Sequence, residues 1–330
     1  MVKFNDSNSA LLNILCDAHC HSGSELGLVL GISRSAVWKQ INQLISIGIP
    51  INRIPHKGYQ LIKPIILLDR QKIAEDLYGL KTPYTIHLYP TIDSTNRFLK
   101  DLPVSDRLEI CCAESQTQGR GRFGRHWHSP FGENIYVSAK WNFNCDLSRL
   151  SGLSLITSLA VLTTLKEFID TTLIKVKWPN DILWGDKKIC GSLIEVVAES
   201  NSTAQVIVGI GLNVNSDPEI DHLKDILWGS MYEISNSLYN RNLIIARLII
   251  NLEGYITRFI NEGFDAFVEE WNRSDYLQGK SITVTQTLNT FTGIAHGINS
   301  QGQLIIEDSE GVNHLLSSGD TSLKKGKTDF

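Results

Sequence analysis

The chain lacks an apolar stretch long enough to cross a membrane. Its longest uncharged helical stretch, LSGLSLITSLAVLTTL (150–165), has sixteen residues broken by Gly, Ser and Thr, where a span needs roughly 20; it predicts a buried core helix. At the N-terminus Asp6 and polar residues precede an apolar run too short for a secretory signal, so a cytoplasmic protein with no membrane partner is expected. Cysteines are few and scattered, at 16, 20, 111, 112, 145 and 190, and form no legible disulfide framework. Cys16, His19, Cys20 and His21 are metal-ligand types, but no second pair follows at zinc-finger spacing, so they read as small thiols on a helix and no protein-held metal is expected. Adjacent Cys111 and Cys112 would face opposite sides of a strand. There is no Walker A sequence, no internal repeat and no low-complexity tract. The net charge of −4 argues against a nucleic-acid surface along the whole chain.

What is present falls into three blocks. At 330 residues, 42% hydrophobic and 20% charged, the chain has ordinary globular composition and exceeds the usual size of one core. Residues 1–66 hold six Lys/Arg against three Asp/Glu, a local +3 that leaves −7 for the rest. Leu11, Leu12 and Leu15 mark a helical stripe over 9–20. SELGLVLG predicts a short helix over 24–31 with Ser24 as N-cap and Gly31 at the turn. SRSAVWKQINQLISIG starts at Ser33 as N-cap, runs Val37, Ile41 and Leu44 along one face, and stops at Gly48. Two helices across a tight glycine turn predict a helix-turn-helix, whose second helix enters the major groove. Ser33, Arg34, Ser35, Lys39, Asn42 and Gln43 would then meet operator DNA. IPINRIPHKGYQLI (49–62) alternates like two strands, a wing that offers Arg53 and Lys57 to phosphates.

Pro64 lies in a linker, 63–72. Beyond it, strands are predicted over 84–89, 108–114, 134–141, 174–178, 189–198 and 204–212, and helices over 69–78, 94–101, 148–170 and 241–272. That pattern is α+β, with helices on one face of a sheet. The last block alternates β-prone runs with Gly, Asn, Ser and Asp turns and predicts a barrel of five or six strands. The domain division is 1–65, 66–274 and 275–330.

Two segments carry chemistry. GRGRFGRHWHSP (119–130) contains G-x-G-x-x-G, the dinucleotide-binding pattern, which requires a helix immediately afterwards. Ser129-Pro130 and Gly132 exclude that helix. The better reading is a flexible loop whose glycines admit a ligand while Arg120, Arg122 and Arg125 offer guanidinium forks to phosphate. In KVKWPNDILWGDKKICGSLIE (175–195), Trp178-Pro179 ends a strand, Asn180-Asp181 and Gly185-Asp186 make turns, and Lys188 opens the next strand as a positioned point charge. By itself Lys188 would read as a surface hairpin lysine.

DSTN (93–96), ESQTQGRGRFGRHWHSPFGENIY (114–136), KWPNDI (177–182), KKICGSLIE (187–195) and VIVGIGLNVN (206–215), in that order, resemble biotin protein ligase. HSGSELGLVLGISRSAVWKQI and IPHKGYQL resemble the DNA-binding domain of its bifunctional form, the biotin operon repressor, and SSGDTSLK is similar to the end of the family's SH3-like barrel. The resemblance implies a class II synthetase-like ligase domain between a winged helix and a small β-barrel. It implies that ATP and biotin give biotinyl-adenylate, that the biotinyl group passes to a lysine of a biotin carboxyl carrier protein, and that Mg2+ accompanies the triphosphate. It implies an adenylate-bound homodimer on operator DNA.

Carried over by position, Ser94, Thr95, Asn96 and Gln116 would line the biotin pocket. Arg120, Gly121 and Arg122 would close over carboxylate and phosphate, with Lys188 shared by both half-reactions. Trp127 would cover biotin or adenylate, and Asn180, Asp181 and Asn213 would lie near the nucleotide. Residues 214–230 resemble the adenylate-closing loop, with Trp228 over adenine. The chain departs from the family at His126 and His128, which flank Trp127, at Ser192 in place of an aliphatic residue, and at Asp320 in place of Glu. A non-enzymatic biotin sensor and a lipoate ligase are the alternative readings. The first would lack Lys188 or the arginine loop; GRGRFGR paired with KWPND favours biotin over lipoate.

Overall fold

The computed structural model describes residues 6–143, 150–200, 203–218, 227–286 and 289–323. The N-terminal block is three helices and a wing: α1 (Asp6–Leu15), α2 (Gly23–Leu30), α3 (Arg34–Ser46), β1 (Ile51–Ile54) and β2 (Gly58–Leu61). Leu11, Leu12, Leu15, Leu26, Val37, Ile41 and Leu44 close its core. Ser33 caps α3 as expected, accepting from Ala36 N–H at 3.2 Å. The cap of α2 is Ser22 rather than Ser24. Ser22 Oγ accepts from Glu25 N–H while the Glu25 carboxylate accepts from Ser22 N–H, a reciprocal capping box. Gly31, at φ 65°, supplies the left-handed turn into α3.

After α4 (Arg70–Asp76), a seven-stranded mixed sheet runs in the order β3-β4-β5-β9-β8-β7-β6. Its strands are β3 (Tyr84–Tyr89), β4 (Leu108–Ala113), β5 (Ile135–Phe143), β6 (Ile174–Lys177), β7 (Asp181–Trp184), β8 (Lys187–Ser200) and β9 (Thr203–Leu212). Only β3 and β4 pair in parallel; the other pairs are antiparallel. One face carries α6 (Leu153–Lys166) and α8 (Arg241–Glu262). The expectation of helices on one face is corrected by α5 (Thr95–Asp101), which packs on β4, β5 and β9 from the other side. Cys111 joins Leu99 and Ile207 there, while Cys112 faces the main core.

Two helices are shorter than expected. α6 is buried along most of its length, yet it begins only after Gly152 at φ 91° and ends at Lys166. Residues 148 and 149 of the predicted span lie outside the described residues. The span 241–272 is not one helix. Gly263, at φ 76°, ends α8, and α9 (Val268–Ser274) resumes after the turn Asp265–Phe267. α7 (Met231–Ser235) is a single short turn of helix ahead of α8.

The last block is a five-stranded antiparallel sheet, β13-β12-β11-β10-β14, built from β10 (Ser281–Thr285), β11 (Thr290–Ile298), β12 (Leu304–Glu307), β13 (Asn313–Leu316) and β14 (Asp320–Leu323). Ile282, Val284, Leu304 and Ile306 belong to the same continuous apolar cluster as the seven-stranded sheet. Trp178 Nε1 donates to Gly302 O at 3.2 Å, and Thr321 Oγ1 donates to Trp178 O at 3.2 Å. β14 is thereby fixed beside the KWPND turn. Among the described residues no helix is long and apolar enough to cross a membrane.

Candidate active site

The N-terminus of α5, strands β8 and β9, the arginine loop and β14 surround a cavity of about 710 Å³. Its wall is a network of buried polar side chains. Ser94 begins α5 without a side-chain cap bond. Thr95 donates its N–H to Gln116 Oε1 at 2.9 Å, and Gln116 Nε2 reaches Ser129 Oγ at 3.3 Å. Ser138 Oγ lies 2.6 Å from both Thr95 Oγ1 and Asn96 Oδ1. Asn96 Nδ2 donates to Glu195 Oε2 at 2.7 Å. Two glycines of β9 make room: a Cβ on Gly209 would lie 2.1 Å from Asn96 Oδ1, and one on Gly211 2.4 Å from the Trp127 ring.

The arginine loop is a narrow hairpin. Arg120 pairs with His126, Gly121 N–H donates to Arg125 O at 2.7 Å, and Arg122–Gly124 is a short 3-10 turn with Phe123 at φ 56°. No α-helix follows; the next regular element is β5. Phosphate held here would therefore face guanidinium groups and not a helix N-terminus.

The cations divide into two sets. Arg120 Nη2 donates to both Glu195 oxygens at 2.8 Å, Arg125 pairs with Asp320, and Lys188 Nζ lies 2.6 Å from Asp181 Oδ1. Arg122 instead donates to Asn180 Oδ1 and Gly319 O, each at 3.2 Å, and Lys177 to Thr321 O at 2.7 Å. Neither pairs with a carboxylate among the described residues, and burial pulls down the pKa of both. Desolvated cations with neutral partners are where an incoming anion gains most. Lys188 Nζ also stands 5.4 Å over the Trp127 ring. Asn213 Nδ2 donates to Gly229 O at 3.0 Å, and Trp228 bridges to the Lys188 backbone. Residues 219–226 of the expected adenylate loop lie outside the described residues.

All the residues expected to hold biotin or nucleotide line this one cavity. Among the described residues no cysteine lines the cavity, and burial pushes the thiols of Cys16 and Cys112 up to about 12 and raises those of Cys111 and Cys190 as well.

Residues 88–213 match the Biotin/lipoate A/B protein ligase family, 9–60 an HTH domain, and 278–324 the Biotin protein ligase C terminal domain. The Bifunctional ligase/repressor BirA of Salmonella typhimurium is 33% identical over 96% of this chain and 97% of its own length. The chain belongs to the bifunctional biotin protein ligase family. The Escherichia coli relative of the same name is 32% identical over 99% of this chain and 100% of its own. A biotin protein ligase from Aquifex aeolicus, in complex with biotin and ATP, superposes with a TM-score of 0.62 at 28% identity, covering 73% of this chain and 98% of that one.

The second expected surface of this ligase is separate: none of the eight residues assigned to DNA lines the cavity. Arg34, Ser35, Lys39, Arg53 and Lys57 are exposed on α3 and the wing, and Ser33 sits at the helix N-terminus. Two of the set bond each other, Arg53 donating to Asn42 Oδ1. Gln43 accepts from Asn8 of α1 at 3.3 Å. Sequence reasoning passed over three residues. Trp38 is 52% exposed on α3. Lys177 opens KWPND, and Glu195 closes KKICGSLIE on the same strand face as Gly191, by the alternation of a strand. That parity was the available signal for Glu195.

Proposed function

We propose that the chain activates biotin with ATP and passes the biotinyl group to one lysine of a biotin carboxyl carrier protein. The observation that carries this is that the partly desolvated Arg122 and Lys177, the polar wall and Lys188, whose Nζ stands over the Trp127 ring, all line one cavity. In the first half-reaction a biotin carboxylate oxygen bonds to the α-phosphorus and pyrophosphate leaves. Both reactants are anions, so their approach is opposed unless positive charge is fixed beside them. Arg122 supplies it from the loop. Lys188 exchanges Asp181 for the carboxyl and phosphate oxygens, and its place at the start of β8 suits it to both half-reactions. In the second, the acceptor amine bonds to the acyl carbon and AMP leaves. Ser94, Thr95 and Gln116 form the wall for the ureido ring; Asn180, Asp181, Asn213 and Trp228 border the nucleotide.

Mg2+ would arrive with ATP. Asp181 and Asp320, the carboxylates at the mouth, are already ion-paired, and the described residues contain no cluster of three potential metal ligands. Among the described residues, then, there is no preformed magnesium cage, and an ion arriving with ATP would be held chiefly by phosphate oxygens and water.

On the same chain, the winged helix would bind operator DNA as a homodimer stabilised by retained adenylate, since one domain reads only one half-site. Free cysteines and use of ATP fit a cytoplasmic setting. The test is incubation of the purified chain with biotin, Mg-ATP and a carrier domain, read by mass spectrometry. One added biotinyl group on a single lysine is expected, and an unmodified carrier overturns the enzymatic reading. Lipoate in competition separates the two acyl substrates. Footprinting upstream of biotin-synthesis genes, with and without biotin and ATP, tests repression.

A further inference from the structure

We infer that Lys187 and Glu233 are positioning residues: their ion pair holds residues 227–229 along β8 and so fixes Lys188 where the adenylate forms. The inference rests on the biotin reading above and deepens it. Lys188 reaches the cavity because β8 is bulged. Cys190 pairs with Ile182, but Lys188 pairs with Leu183, so β8 carries one residue more than β7 across that step. The extra residue is Ile189, and both Ile189 and Cys190 are buried in the main apolar core. In an unbroken strand, residues three apart face opposite sides. Here Lys188 and Gly191 share the cavity side: a Cβ on Gly191 would lie 3.0 Å from Lys188 Cε and 3.1 Å from its Nζ. A bulge re-aims a side chain in this way but disrupts the ladder locally, and the backbone there needs partners from its other edge.

β9 does not supply them at Lys188, because its pairing with β8 reaches only to Cys190 and Leu212. Asn213, just past β9, donates its N–H to Ile189 O at 2.9 Å. Lys188 N–H donates to Leu227 O, and Gly229 N–H to Lys188 O, each at 3.0 Å. Residues 227–229 stand in for β9 beside Lys188, and Trp228, its bridge partner, joins the same cavity lining. This stretch leads into α7, whose N-cap Ser230 accepts from Glu233 N–H at 3.1 Å. The Glu233 carboxylate returns to β8 and pairs with Lys187, which lies outside the cavity lining with its Nζ 5.6 Å over the Trp184 ring. Lys187 therefore ties the strand that carries Lys188 to the segment that carries Trp228.

Two features make that tie sensitive. Glu233 Oε2 is buried with no hydrogen-bond partner among the described residues, so loss of the Lys187 ammonium strands a carboxylate, which costs more than removing both partners. Gly229 is packed directly under the pair: a Cβ there would lie 3.0 Å from Glu233 Oε2 and 3.3 Å from Lys187 Cβ. A carboxylate that swings out to water releases Gly229, whose N–H is the donor to Lys188 O.

The test is single-turnover adenylate formation by the full chain at saturating biotin and Mg-ATP, with the biotin dissociation constant and the melting temperature measured on the same proteins. Lys187→Met is expected to slow the reaction about tenfold, the effect of a displaced rather than a missing reacting group, with biotin affinity within about twofold. Lys187→Arg keeps the ion pair and should stay within about twofold of the parent. Glu233→Gln still accepts from Lys187 and strands no charge, so it should lose about threefold. Lys187→Met and Glu233→Gln together should cost no more than about tenfold, whereas independent residues would multiply to about thirtyfold. A parent-like rate in Lys187→Met overturns the inference, whatever its melting temperature, and so do multiplied losses in the double variant. A loss of rate matched by an equal loss of biotin affinity also overturns it, since the pair would then support the pocket as a whole. If Lys187→Met does not fold, Glu233→Gln decides: threefold slower adenylation beside a parent-like Lys187→Arg upholds the inference, and a parent rate overturns it. A parent chain that makes no adenylate from biotin would instead sink the biotin reading.

Discussion

The wall and the loop of this cavity hold their ligands by opposite means. The wall is a connected set of buried polar groups: Asn96 donates to Glu195, Ser138 lies against Asn96 and Thr95, and the Thr95 hydroxyl donates to Gln116. The loop is a set of cations partnered one by one, some exposed, some buried. A connected, paired network gives specificity, because a ligand that does not complement it leaves a buried polar group without a partner. Separate charges give transition-state stabilisation, and each contributes according to its own desolvation. Substitutions in the two regions should therefore fail differently, the loop in rate and intermediate retention, the wall in affinity.

Lys188→Ala should produce the largest effect. It removes a cation used in both half-reactions and leaves Asp181 unpaired at the mouth. Single-turnover rates of adenylate formation and of transfer to the carrier should each fall by about 100- to 1,000-fold, the usual cost of one electrostatic stabiliser. A loss confined to one half-reaction would break the shared-cation account.

Arg122→Gly comes next. Arg122 ties the loop to Asn180 and to Gly319 of the C-terminal block, so without it the lid loses its hold on the phosphate. Release of the adenylate should quicken by about 10- to 100-fold, on the scale of a lost charge-assisted hydrogen bond. Equal release rates in mutant and parent, followed by filter binding of labelled adenylate, would count against closure by Arg122. Gly211→Ala probes the seam between the regions. A Cβ there would sit 2.4 Å from the Trp127 ring, forcing the loop outward. Biotin affinity should drop about tenfold, a typical overpacking cost of 1–3 kcal/mol, with little change in the melting temperature.

Local signals were the legible ones. Ser33, the Val37-Ile41-Leu44 stripe and the turn at Gly31 identify α3 because caps and periodicity act within a few residues. The same rule could have placed the α2 cap, since Ser22 has Glu three residues on and Ser24 has Gly27. The break at Gly263 was hidden because helical periodicity resumes beyond it. The position of α5 on the opposite face and the contact of Asn96 with Glu195 depend on strand order β5-β9-β8, which no local pattern encodes. The site residues were named from spaced motifs, but the split between Arg120, spent on Glu195, and Arg122, held by neutral groups, appears only when residues 75 and 197 positions away are brought to them.

Asp320→Asn should have the smallest effect, and its size discriminates between exposed and buried charge in the loop. Arg125 and Asp320 are 65% and 43% exposed, so water and salt screen their attraction. Exposed pairs contribute about 0–1 kcal/mol. The asparagine can still accept from Arg125, and β14 remains held through Thr321 and Trp178. The KM for ATP should rise about two- to threefold at low salt and converge on the parent near 1 M salt, where the screening length is about 3 Å. Arg122→Gly should keep its defect at that salt, because its partners are neutral and its guanidinium is desolvated. If both defects faded together, the loop would act as one diffuse positive field, and the distinction between Arg122 and Arg125 would fall.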